Sequence, residues 1–187
     1  MSEIAIRVKN LYKTFGEIPA VQDVNFEVGR GTCFGLLGPN GAGKSTTIKM
    51  MTTLLPVQQG EIEIAGYSLT QNPFRIREMI GYVPQALSVD GNLTGYENLL
   101  IFAKLYGLSK KERAERIPET LQMLHLDDVA ERPVKTYSGG MIRRLEIGQE
   151  ILHRPQVLFL DEPTVGLDPV ARKAVWNHIE QLRSDSE

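Results

Sequence analysis

Residues 38–45 read GPNGAGKS, and no other stretch of the chain limits its fold so tightly. The pattern is a glycine, four residues, then glycine, lysine and a hydroxyl side chain. Backbone N–H groups converge on a polyphosphate only where glycines free the chain to turn. A helix starting at the lysine adds the positive end of its dipole. The apolar run CFGLL at 33–37 precedes the motif, and residues 46–55 read as a helix, so the motif is expected between a buried strand and a helix. In that frame Gly38, Pro39, Asn40, Gly41, Ala42, Gly43 and Thr46 line a nucleotide. Lys44 reaches the β- and γ-phosphates, and Ser45 places its hydroxyl on Mg2+. A chance match in such a chain has odds on the order of one in a hundred at average residue frequencies.

The rest of the chain fits an α/β frame around this loop. Ile4, Ile6 and Val8, then Val24, Phe26 and Val28, alternate with polar residues at the period of half-buried strands. Residues 61–65, 80–83 and 156–160 read as further strands. Thr94 with Glu97, and Ser109 with Glu112, are capping-box pairs that open helices. Pro118 is expected to kink or divide the second of these, because it lacks an N–H donor and crowds the preceding turn. Helices are also expected from Gly140 to about His153 and over residues 169–183. Residues 1–86 and 150–187 therefore read as a core with a β-rich start, and 87–149 as an inserted helical subdomain carrying the segment YSGGM.

Composition excludes more than it assigns. With 187 residues, 42% hydrophobic and 24% charged, the chain can bury a core and is neither disordered nor collagen-like. A formal charge of -2 gives no general reason to bind nucleic acid. The single cysteine, Cys33, forms no internal disulfide, which fits a reducing cytoplasm. The longest uncharged stretch, 31–43, is too short and too broken to span a bilayer, and the opening MSEIAIRVKN has no secretory-signal pattern. A membrane process would need a second chain to supply the membrane part.

Two further segments carry chemistry. VLFLDE at 157–162 is an apolar strand ending in two carboxylates. Asp161 suits the water shell of Mg2+, and Glu162 suits polarisation of an attacking water. YSGGM at 137–141 places a serine and two glycines at a helix N-terminus, where amides favour an anion. Taken alone, the first segment reads better as a strand leaving the core through a polar turn, and the second as a serine-capped turn. Beside the glycine loop in the same chain, the functional reading of Asp161 and Glu162 is preferred.

GPNGAGKST, Gln85 after a strand, YSGGM, VLFLDEP and GLD at 166–168 occur in the order found in ABC nucleotide-binding domains, which the whole chain resembles. It is most similar to ATP-binding subunits of daunorubicin-resistance-type drug exporters. The resemblance implies a P-loop NTPase core with an N-terminal antiparallel β-subdomain and an inserted helical subdomain. It also implies adenine stacking on Phe15, with Tyr12 as the alternative, and packing of Val21 on the other edge of the base. Gln85 would contact Mg2+ and water and take part in catalysis with Glu162. Ser138, Gly139 and Gly140 would reach the γ-phosphate held by an opposite subunit, and Asp168 would cross a dimer interface.

As partners the resemblance implies ATP, a second copy joined head-to-tail when ATP is bound (a monomer being possible without it), and a separate transmembrane permease. It places the protein on the cytoplasmic face of the membrane. Met141 stands where the commonest signature has glutamine. The family's switch histidine maps beyond Glu187, so the sequence reads as C-terminally truncated, with slow or no hydrolysis and an open sheet edge. His178 lies in an expected helix and reads as a surface or packing residue, as do His125 and His153. Two other classes fit the motifs less fully: a nucleotide-binding module without turnover, and a soluble ABC ATPase acting on ribosomes or DNA.

Overall fold

The computed structural model of the protein describes residues 4–184. These fall into two compact units, one up to Ile80 and one from Gly81.

In the first unit, β1 (Ile4–Phe15), β2 (Ile18–Gly29), β3 (Gln59–Ile64) and β4 (Tyr67–Ser68) form an antiparallel sheet in the order β2-β1-β3-β4. The alternation seen in the sequence sets its faces: Ile6 and Val8 are buried and pair with Ile64 and Ile62 across β3. Register shifts between Val8 and Leu11, where Asn10 has φ 45° and its amide donates to Asn25 Oδ1 at 2.7 Å. This bulge turns Leu11 back into the core, where it is fully buried.

The helices of this unit are α1 (Lys44–Met51) and α2 (Pro73–Met79). α1 begins two residues earlier and ends four earlier than residues 46–55. Its C-cap is Thr52, and the next residue, Thr53, takes the left-handed conformation at φ 63°.

The expected strand at 33–37 is absent. Those residues have no regular structure and belong to neither sheet, and Leu37 is 94% exposed. Phe34 instead stacks on Phe26, ring centroids 5.2 Å apart. An apolar run becomes a strand only when its N–H and C=O groups find a ladder, and that partner is a tertiary fact.

The second unit pairs β5 (Ile80–Val83) with β6 (Val157–Leu160) and also holds α3 (Gly95–Leu105), α4 (Lys110–Met123), α5 (Gly139–Ile151) and α6 (Pro169–Ser184), of which α5 and α6 pack against the strands. Both capping boxes form as the sequence predicts: Thr94 and Ser109 accept from the amides of Glu97 and Glu112, whose carboxylates accept in return. The apolar faces of α3, α4 and α5 meet around Leu99, Ile117, Leu121, Leu124 and Leu145.

α4 is not divided at Pro118; it runs on from Lys110 to Met123. Proline costs the Ala114 carbonyl its helical donor. Burial of Ile117 and Leu121 on either side holds the helix together across the gap.

Two stability predictions follow from this packing. Leu99 is fully buried, so Leu99→Ala should cost about 2–5 kcal/mol, read as a lower urea midpoint at unchanged slope. Gly43 has φ +84°, and a Cβ there would lie 2.2 Å from the Ala20 carbonyl oxygen. Gly43→Ala should therefore cost about 1–3 kcal/mol for this overlap, on top of the left-handed strain that it shares with Gly41. Gly41 has φ +83° with nothing within 4 Å, so Gly41→Ala should cost only the left-handed strain, about 1–2 kcal/mol. Equal costs at the two glycines would contradict the close approach to β2.

Candidate nucleotide-binding site

Loop 38–43 meets α1 at Gly43, which acts as its N-cap in the left-handed conformation and supplies no side-chain cap. No side chain caps the first turn of α1, and no acidic residue stands in it, as at helix ends that accept anions. Within the loop, Ala42 N donates to Pro39 O at 3.2 Å, closing a tight turn. Lys44 Nζ reaches back across the turn and donates to the carbonyls of Gly38 and Pro39, 2.9 Å each. Positive charge and a helix N-terminus without a side-chain cap therefore share one rim, an arrangement suited to a polyphosphate.

Val21 is buried and lies against Gly43. Phe15, at the end of β1, is 50% exposed with Lys13 Nζ 5.7 Å from its ring centroid, whereas Tyr12 is half-buried. Of the two aromatics, Phe15 has the more open face.

In the second unit the ends of β5 and β6 are joined by Asp161 N donating to Val83 O at 3.0 Å. Asp161 is buried, at 5% exposure. Glu162 follows in a left-handed conformation, φ 53°, unusual for a side chain with a Cβ. That twist brings its Oε2 to 3.1 Å from Gln85 Nε2, in the loop after β5. A carboxylate that receives an amide N–H is held ready to accept a water's proton. Within the second unit, the amide oxygen of Gln85 and the carboxylate of Asp161 are hard oxygen donors, the chemistry that Mg2+ takes; the Ser45 hydroxyl of the first unit is a donor of the same kind.

α5 opens at Ser138, whose Oγ accepts from Met141 N at 3.3 Å while Met141 Sδ accepts from Ser138 N at 3.4 Å. The thioether thus does what glutamine or glutamate does in an ordinary capping box. Gly139 and Gly140 are close-approach positions: a Cβ on Gly140 would lie 2.9 Å from Ala171 Cβ, and one on Gly139 would lie 3.3 Å from Leu167. Asp168 caps α6, its Oδ1 accepting from Val170 N at 2.9 Å and Ala171 N at 3.0 Å.

The histidines are packing residues. His178 is 6% exposed, and its Nδ1 donates to Ala174 O at 2.6 Å. Burial lowers its pKa, which favours the neutral ring. The His125 ring meets it edge-on at 5.2 Å, and the His153 ring stacks on Tyr106 at 3.9 Å.

Sequence reasoning missed Arg143 and Glu146. The pair is 2.7 Å apart with side chains 6% and 1% exposed, and it joins the loops bearing Gln85 and Glu162. Two charges three apart on a helix ordinarily read as a solvated face. The apolar neighbours Leu145 and Ile147 were the available signal.

Comparison with known proteins bears on the family and the fold. A family model described as ABC transporter matches residues 21–165. The chain is 40% identical over 177 residues to the linearmycin resistance ATP-binding protein LnrL of Bacillus subtilis (strain 168), covering 95% of this chain and 57% of the relative. It is 43% identical over 183 residues to the doxorubicin resistance ATP-binding protein DrrA of Mycobacterium tuberculosis (strain CDC 1551 / Oshkosh), covering 97% and 55%. The chain thus spans about half the length of the curated relatives it matches. A solved structure described as the ATP binding subunit of an ABC transporter superposes with TM-score 0.81 at 34% identity, covering 97% of this chain and 75% of that one. The fold is the α/β P-loop NTPase type with an antiparallel β-subdomain. On the family match and these motifs, the chain belongs to the ABC transporter family.

Proposed function

We propose that this chain is the ATP-binding subunit of an exporter, binding and hydrolysing ATP in a head-to-tail homodimer to drive a separate transmembrane permease from the cytoplasmic face of the membrane. The observation that carries it is the loop at 38–45: a helix N-terminus without a side-chain cap, rimmed by the Lys44 ammonium. In this reading Phe15 stacks on adenine and Val21 packs beside it. Residues 38–43 and Thr46 surround the phosphates, with Lys44 on the β- and γ-phosphates. Ser45, Gln85 and Asp161 hold Mg2+, which when bound neutralises charge on the phosphates. Glu162, steadied by Gln85 at 3.1 Å, takes a proton from the attacking water.

The signature turn supports the pairing. Ser138, Gly139 and Gly140 present helix-end amides without an acidic residue in the first turn, a suitable contact for the γ-phosphate of a second copy. Asp168 at the start of α6 completes that face. Relatives named for linearmycin and doxorubicin resistance favour a small amphipathic cargo.

Three variants test the reading. Lys44→Ala should weaken MgATP binding by about tenfold or more, since it removes a charge-assisted contact; unchanged affinity in a titration would contradict the loop assignment. Glu162→Gln should lower turnover by about 10²–10⁴-fold while sparing binding. In that background ATP should shift the protein to a dimer on a sizing column, and Ser138→Arg should block the shift. A Ser138→Arg variant that still pairs would sink the signature assignment.

A further inference from the structure

The Arg143 guanidinium uses its five N–H groups in one place. Nε donates to Pro163 O at 2.9 Å, and Nη1 donates to Pro84 O at 2.9 Å and to Glu146 Oε2 at 2.7 Å. Nη2 reaches Gln85 O at 3.3 Å and Glu162 O at 3.5 Å. Apart from Glu146, every acceptor is a backbone carbonyl in one of two loops, the one after β5 and the one after β6. The carboxylate of Glu146 extends the clamp: its Oε1 accepts from Ser88 N at 2.6 Å and Ser88 Oγ at 3.2 Å.

Such a pair is costly to bury. Arg143 is 5% and Glu146 1% exposed, and a well-packed apolar pair is often as stable as a buried ion pair or more so. Bulk stability is therefore a weak reason for these residues. A better one lies in what they hold. Glu162 is in a left-handed conformation, φ 53°, which persists only where surroundings over-determine it. Arg143 binds the carbonyl of Glu162 and that of the next residue, and on its other side the carbonyls of Pro84 and Gln85.

We propose that Arg143, with Glu146 as its counter-ion, is a positioning residue that sets the Glu162 carboxylate against Gln85 by clamping the backbones of both loops. It touches neither nucleotide nor water; it acts through the two residues that do. The chemistry it serves rests on the ATPase reading above, but the clamp itself does not. Ser138 is the N-cap of α5, so one helix carries both the signature turn and the clamp. Lysine cannot replace arginine here, because an ammonium is a single point of donation and cannot span carbonyls in two loops.

The test compares the unaltered protein with Arg143→Met, Arg143→Lys and Glu146→Gln by amide hydrogen exchange, MgATP titration and steady-state hydrolysis. In Arg143→Met, exchange should rise about tenfold or more in residues 85–88 and 161–167 and stay unchanged in 38–45. ATP affinity should hold within about threefold, and kcat should fall about 10²-fold, as for a misplaced catalytic group. Arg143→Lys should restore neither the protection nor kcat, and Glu146→Gln should loosen 85–88 first. Unchanged exchange in both loops would overturn the proposal, as would a kcat within twofold of the unaltered protein. Should Arg143→Met unfold, Arg143→Lys decides: selective loosening of the two loops supports the clamp, and a uniform rise across the chain overturns it. If the unaltered protein neither binds nor hydrolyses MgATP, the functional reading fails, while the exchange result still decides the clamp.

Discussion

Amides that point inward at a polyphosphate cannot point into a helix or a sheet, and that constraint shapes the residues around 38–45. Gly43 takes the left-handed conformation at the head of α1, with the Ala20 carbonyl so close that no Cβ fits. The turn leaves the first amides of α1 without a side-chain cap, and Lys44 lies across the rim on the Gly38 and Pro39 carbonyls. A buried loop of this kind would be an energetic fault; on the surface, with a cation beside it, its chemistry suits the anion site proposed above.

The second unit solves a different problem, which is to hold polar groups rigidly at the edge of an apolar core. α5 is central to it. Leu145 joins the helical cluster with Leu99 and Ile117, and Ile147 packs with Val83 and Val175. Between these apolar contacts Arg143 and Glu146 bind the loops after β5 and β6. One turn further on, Glu150 accepts from Tyr82 N at 3.0 Å and from the Tyr106 hydroxyl at 2.8 Å. Desolvation still leads and raises the pKa of Glu150 above the usual carboxylate range. The helix therefore trades some stability for fixed geometry beside Glu162 and Gln85.

Local signals were the most legible part of this sequence. The capping boxes at Thr94 and Ser109 depend on residues three apart and form as read; the alternation of Ile6 and Val8 predicted half-buried strands, which β1 and its partners form. What depends on distant partners was not legible. The run at 33–37 has strand composition but no ladder, so it stays irregular. Pro118 was expected to kink or divide its helix, yet buried neighbours carry α4 through it undivided. At the site, the candidate residues came from motif spacing and from the family resemblance. The Glu162–Gln85 contact and the Arg143 clamp were not, because both arise where two loops remote in sequence meet. The reciprocal cap from Met141 was equally hidden, since a thioether is not an expected capping acceptor.

The account stands or falls on whether the glycine loop takes up nucleotide. Isothermal titration of the folded protein with MgATP measures this directly, with Lys44→Ala as the control. The prediction is saturable heat at one nucleotide per chain, much weakened in the variant. A folded protein that gives no heat and no rise in melting temperature with MgATP would contradict it.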